Sequence, residues 1–315
     1  VANEFRLHHP WFVAVWPGMG HVAVNAGVYL LAKLEMTGIA EFEAPDLFDI
    51  DQVEVKNGLV QPVRRPRNRC FVWIDPKKQH DIVLFVGEAQ PPLGRYRFCR
   101  QLLEYAKQLG VERVITFAAM ATGMNPADEC RVFAAATNEA NLQELEKRDL
   151  TILEDGHIGG LNGVLLGAAA EDGLPGACLL GEMPHIFAQL PFPKASLAIL
   201  EVFAPLAGIN LDLGELAEQS RMVEEKLGEL LDRVQDQVEQ SEEGDEEEDE
   251  FAVNILDTSE EDEAAASVDK VHIESLFDQT RKDRSKAFEL KQELDRLGVF
   301  KEYEDRFLDL FKKSA

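Results

Sequence analysis

The chain has 315 residues, 45% of them hydrophobic, enough to bury a sizeable core in one large domain with an appendage or in two modest domains. Its formal net charge of −26 argues against nucleic acid or an anionic membrane as a partner, because phosphate binding needs clustered Lys and Arg. Residues 1–210 carry 25 acids against 18 bases and residues 211–315 carry 33 against 14, so the acidity belongs to the C-terminal third.

In chain order, Leu7–Ala32 holds no Asp, Glu, Lys or Arg, but Pro17, three glycines, three histidines and Asn25 interrupt it, so it does not read as a membrane span. No basic segment precedes an apolar one, so no signal peptide is expected. Trp11–Trp16 reads as a strand ending at Pro17-Gly18, and His21–Met36 has helical spacing. Ile39–Glu43 reads as a second strand, and Asn57-Gly58 between Val53–Val55 and Leu59–Val60 is a hairpin signal. Arg64, Arg65, Arg67 and Arg69, interrupted by Pro66, read as a solvated loop.

Cys70–Asp75 and Asp81–Gly87 follow as strands, the second apolar enough to be central. A helix over Arg95–Leu109 stops at Gly110, and a strand over Arg113–Phe117 comes next. Helices are predicted at Asn138–Arg148, Gly160–Ala170 and Lys194–Leu206, with strands at Thr151–Leu153 and Ala177–Leu180. This alternation predicts a mainly parallel sheet covered by helices on both faces, a three-layer α/β/α fold. Leu216, Val223, Leu227, Leu230, Val234 and Val238 make one amphipathic helix. Eight of the nine residues Glu242–Glu250 are acidic and predict a disordered linker; a helical hairpin broken at Gly298 should follow. The expected division is an α/β domain over 1–215, a helix over 216–240, an acidic linker over 241–268 and helices over 269–315.

For chemistry, Gly18-Met19-Gly20-His21 places two glycines between a strand and a helix. Gly18-x-Gly20-x-x-Ala23, with Glu41 or Glu43 further on, satisfies a loose dinucleotide-binding pattern, against the plainer reading of a tight turn. His157, in a second glycine-rich approach to a helix, and Glu88, after the central strand, are placed to face the same crevice. The plainer readings are that Glu154 and Asp155 cap the next helix and that Glu88 fixes its own loop. Ligand-binding candidates are therefore Gly18, Met19, Gly20, His21, Glu88 and His157. No nucleophile elbow or His-Glu-x-x-His is present, and Cys70, Cys99, Cys130 and Cys178 form no Cys-x-x-Cys pair. They read as reduced thiols, so a cytoplasmic protein with no catalytic set, metal or cofactor is expected.

Trp16-Pro-Gly-Met-Gly-His21, Glu41-Phe-Glu43 leading to Asp46-Leu-Phe-Asp49, Gly87-Glu-Ala-Gln-Pro91, and Tyr96–Gly110 followed by Val111-Glu-Arg-Val-Ile115 together resemble the PAC2 (proteasome assembly chaperone) family over about residues 10–215. The resemblance implies a nucleoside-phosphorylase-like architecture without its chemistry, and a homo-oligomeric protein that binds other proteins to assemble a complex. Some relatives carry a C-terminal hydrophobic-Tyr-x docking tail; this sequence reads Phe311-Lys-Lys-Ser-Ala315 there, so the resemblance does not extend to that element. The alternative is a small-molecule or nucleotide-binding enzyme using the Gly18/Gly20 crevice.

Overall fold

A computed structural model describes residues 7–48, 53, 55–56, 58–241 and 262–312, which fall into two compact units. The first contains the described residues up to Arg221 together with 311–312, and the second Met222–Leu310.

The first unit is built outward from β1 (Trp11–Val15), whose five residues are all buried. A run that is apolar at every position suits a strand covered on both faces. Then come α1 (Val22–Lys33), β2 (Thr37–Phe42), the hairpin β3 (Val55–Lys56) and β4 (Leu59–Val60), β5 (Asn68–Trp73), β6 (Ile82–Gly87) and α2 (Arg95–Gln108). After them follow β7 (Arg113–Thr122), β8 (Val132–Ala136), α3 (Glu139–Leu145), β9 (Thr151–Ile152), α4 (Gly160–Glu171), β10 (Gly176–Pro184) and α5 (Pro193–Leu206). The eight-stranded sheet has the order β2-β5-β6-β1-β7-β10-β8-β9. The ladders β6-β1, β1-β7, β7-β10 and β8-β9 are parallel, whereas β2-β5, β5-β6 and β10-β8 are antiparallel.

Alternation along β1 sets the layers. Phe12, Ala14 and Trp16 join a core with Phe98, Leu102 and Leu103 of α2 and Leu161 and Leu165 of α4. On the other face Val15 packs under α1, so closely that a Cβ built on Gly27 would come within 2.6 Å of its Cγ2. Helices thus cover both faces, which is the expected three-layer α/β/α architecture.

Three differences from the sequence reading have one cause. β7 runs on from Phe117 to Thr122, β10 runs on from Leu180 to Pro184, and β8 was not predicted at all. The added residues include Ala118, Ala119, Ala121, Ala134, Ala135 and Ala136, and alanine has little strand propensity of its own. These segments are strands because β7, β10 and β8 pair along their length, from Gly176↔Val114 to Pro184↔Thr122 and from Ala177↔Ala136 to Gly181↔Val132.

A long helix, α6 (Gly214–Ser241), starts in the first unit and runs into the second. Glu242–Glu250 lies outside the described residues. The next helix, α7 (Asp262–Lys282), begins inside the stretch expected to be linker; Ala264–Ala266 are strong helix formers. In place of a two-helix hairpin, the second unit has α7, α8 (Ala287–Arg296) and α9 (Phe300–Asp309). Gly298, with φ 69°, divides α8 from α9 as expected. Ile273, Leu276, Phe277, Phe288, Leu294 and Phe307 are buried, and the Arg306 guanidinium lies 4.0 Å over the Phe277 ring while pairing with Glu274.

Two helical glycines test this packing against propensity. Gly27→Ala gains helix propensity but must displace Val15, and should lose about 1–3 kcal/mol in urea unfolding. Gly167→Ala, exposed on α4 with nothing within 4 Å of its Cβ, should gain about 0.5–1 kcal/mol.

Candidate functional site

β1 lies fourth in the sheet, between β6 and β7, and the chain passes from one side of it to the other through α2. Ligands of open α/β sheets bind outside the carboxyl ends of strands at such a switch point. Here a crevice of about 380 Å³ opens there, walled by Trp16, Gly18 and Met19 after β1, Ala118–Ala121 of β7, His157–Gly159 before α4, Gly160 and Asn162 in its first turn, and Leu180.

The turn after β1 is held from below. Gly20 has φ 59°, donates its N–H to the Ala188 carbonyl at 2.9 Å and accepts from the Phe192 N–H at 2.9 Å. A Cβ there would lie 2.8 Å from the Met183 thioether, so the position needs glycine for both conformation and space. Its amide is therefore engaged inside the protein and does not cradle a phosphate. The acids of the dinucleotide pattern are displaced as well. Glu41 is on β2 at the sheet edge and Glu43 just beyond it, with β5 and β6 between them and β1. In a dinucleotide fold the acid-bearing strand lies beside the glycine turn; here that neighbour is β6 or β7.

Gln90 joins the crevice walls. Its Nε2 donates to the Pro17 carbonyl at 3.0 Å, and its Oε1 accepts the Leu161 N–H at 3.0 Å, satisfying a free amide in the first turn of α4. This corrects the expectation that Glu154 and Asp155 cap α4: its N-cap is Gly159, with no side-chain cap bond of its own. The Gln90 role had no local signal, because its partners lie 73 and 71 residues away.

Of the predicted residues, Gly18, Met19 and His157 line the crevice together. Gly20 is buried in the turn that supports them, and exposed His21 is the N-cap of α1. Glu88 is elsewhere. It is 3% exposed, and its Oε2 accepts from Arg64 Nη2 and from the Arg67 backbone N–H, both at 3.0 Å, with Arg69 Nη2 3.6 Å from Oε1. Arg67 turns to Glu41, Nε to Oε1 at 2.5 Å and Nη2 to Oε2 at 2.6 Å, and this bond holds the Glu41 carboxyl below the usual carboxylate range. The basic cluster is thus no uniformly solvated loop: Arg64, Arg67 and Arg69 fold back on carboxylates, and Arg65 is exposed.

A second polar network was not legible in the sequence. Glu182 on β10 is 1% exposed and accepts from Thr122 Oγ1 at 2.8 Å and from Arg131 Nε at 2.8 Å and Nη2 at 2.5 Å. The Arg131 hydrogen bond, foremost, holds its carboxyl below the usual range. Cys130 donates its thiol to the Glu182 carbonyl, and burial pushes that thiol up to about 12, so it is protonated at neutral pH. All four cysteines are free thiols, and Cys70, Cys99 and Cys178 are buried.

The surface carries one further feature. The hairpin β3-β4 and its flanks expose Val53, Val55, Leu59, Val60 and Val63, each at more than half of its full area. Among the described residues no helix is long and apolar enough to cross a membrane, and no three His, Cys, Asp or Glu side chains are placed to hold a metal.

Comparison with known proteins matches residues 12–231 to the model of the PAC2 family. The fold is similar to Pyrococcus furiosus PbaB, described as an archaeal proteasome activator, at 26% identity and TM-score 0.63, covering 73% of this chain and 96% of that one. It is also similar to a PAC2 family protein from Streptomyces avermitilis, at 28% identity and TM-score 0.61, covering 70% and 95%. An uncharacterised protein of Methanocaldococcus jannaschii, MJ1210, is 28% identical over 211 residues, 66% of this chain and 78% of its own length.

Two measurements check the polar anchors. Glu88→Ala should free the Arg64–Arg69 segment and speed tryptic cleavage after Arg64 and Arg67 several-fold. Glu182→Gln should cost about 1–2 kcal/mol at neutral pH, the pair being half open to solvent at Arg131. Because the folded pKa of Glu182 is depressed, that difference is full above the ordinary carboxylate pKa and should vanish as pH falls through the folded value.

Proposed function

This chain belongs to the PAC2 family, and on that footing we propose that it is a non-catalytic protein-binding module that acts as a homo-oligomer in the assembly of a protein complex. The observation that carries the reading is the uncovered β3-β4 hairpin. Two strands of two residues each have no core of their own, yet Val55, Leu59 and Val60 are 59%, 69% and 67% exposed. An isolated two-stranded hairpin is at best marginally stable, and clustered exposed apolar groups mark interaction sites.

The choice of client rests on relatives. PbaB is described as a proteasome activator, and Pyrococcus furiosus PbaA, 26% identical with a TM-score of 0.57, as a homologue of proteasome-assembly chaperones. A proteasome-like assembly in the cytoplasm is therefore the client to test first, with no nucleic acid or membrane as partner.

Affinity capture with tagged full-length protein, beside the double variant Leu59→Asp/Val60→Asp, checks the reading. A stoichiometric partner should be retained by the wild type and weakened at least tenfold by the variant, whose thermal midpoint should stay within about 2 °C because both positions are exposed. Sedimentation velocity on the same pair reads the oligomer. Recovery of the wild type alone as a monomer would sink the proposal.

A further inference from the structure

β2 is one end of the eight-stranded sheet and, at six residues, the longer of its two edge strands; β9 at the other end has two. An edge strand presents backbone groups that another segment can pair with, and proteins commonly cover such an edge. Here the cover is the end of the described chain. Gly38 N–H donates to the Phe311 carbonyl at 2.7 Å. The Phe311 side chain is fully buried, its ring edge-on to that of Phe71, the β5 residue paired with Gly38, with 6.5 Å between centroids. A Cβ built on Gly38 would stand 3.4 Å from the Phe311 carbonyl oxygen and 3.6 Å from the Lys312 Cα, so the tail backbone lies directly against a strand position that has no side chain. Exposed Lys312 adds charge to the fit: Arg67 lowers the Glu41 carboxyl most, and Lys312 lowers it further.

We propose that β2 carries a docking seat for a peptide in which a lysine follows an aromatic residue, and that Phe311-Lys312 is a releasable plug that fills it in cis. The seat has a backbone donor in Gly38, an aromatic floor in Phe71 and a carboxylate in Glu41. All three belong to β2 and β5, whose ladder, with Gly38 opposite Phe71 and Glu41 opposite Arg69, is made without the tail. Phe311 and Lys312, for their part, form no strand; they are a turn and a bend after α9, so they leave without breaking a ladder. A segment tethered to its own seat acts at an effective concentration on the order of millimolar, which excludes a free peptide of the same chemistry while the plug is in place. This inference stands independently of the protein-binding reading, since it uses none of the hairpin residues.

The test uses the full chain and, as probe, a fluorescently labelled peptide with the sequence of residues 306–315, titrated by anisotropy. Phe311→Ala in the protein removes the plug's anchor and should raise its affinity for the peptide at least tenfold over the wild type, whose seat is filled. Phe311→Leu, a milder change that keeps a large apolar side chain, should fall between the two, and it carries the test even if Phe311→Ala does not fold. A peptide bearing the Phe311→Ala substitution should bind the opened protein at least tenfold more weakly. Gly38→Val, added to either Phe311 variant, should remove the gain by crowding the seat; Gly38 is not among the glycines with positive φ, so a β-branched residue suits its strand. Equal peptide binding by the wild type and both Phe311 variants, or binding indifferent to the peptide's phenylalanine or to Gly38→Val, would overturn the proposal.

Discussion

The structure depends on one constraint: β1 is hydrogen-bonded on both edges and covered on both faces. Trp11–Val15 runs in register with Ile82–Val86 on one side, and Trp11–Ala14 with Arg113–Thr116 on the other. Its five side chains are at most 4% exposed. Such a strand has no freedom to slip, because a one-residue shift would exchange Phe12 and Ala14, which face α2 and α4, with Val13 and Val15, which face α1. Once β1 is fixed, the carboxyl ends of its parallel neighbours lie together, and the loops leaving them must meet. The crevice is where they meet.

That logic also explains what was legible in the sequence. Strands that are apolar throughout, β1 and β6, announce themselves, as do α2 with its stop at Gly110 and the turn glycines before α1. The alanine-rich ends of β7 and β10 and the whole of β8 do not, since long-range pairing decides their conformation. Among the site residues, Gly18, Met19 and His157 could be gathered from the rule that loops at one end of a parallel sheet share a crevice. Glu88 follows a strand in the same way, yet its carboxylate turns toward β5. Nothing local distinguishes the two outcomes; three arginines 19–24 residues earlier in the chain decide it.

Charge is handled differently in different parts of the molecule. In the first unit, buried glutamates are met by arginines, Glu88 by Arg64 and Arg69 and Glu182 by Arg131, whereas buried Asp75 and Asp81 accept backbone amides. Truncating one partner of such a pair leaves an uncompensated charge, so these pairs fix local geometry more than they add net stability. In the second unit, Arg306 covers Phe277 and pairs with Glu274, so a cation both shields an apolar ring and joins α7 to α9.

The end of β6 brings these threads together. In the three residues Glu88-Ala89-Gln90 the chain leaves the sheet and fixes two surfaces. Glu88 binds the Arg64–Arg69 segment that carries the chain back from the exposed hairpin, and Gln90 binds Pro17 and Leu161 across the crevice. Both anchors hang from a strand buried at all six positions, which fixes the Arg64–Arg69 segment and the crevice walls to the sheet. Preorganisation lowers the entropic cost of association, which matters most where there are few polar contacts to offset it. One strand end thus ties both the Arg64–Arg69 segment and the two walls of the crevice to the central sheet.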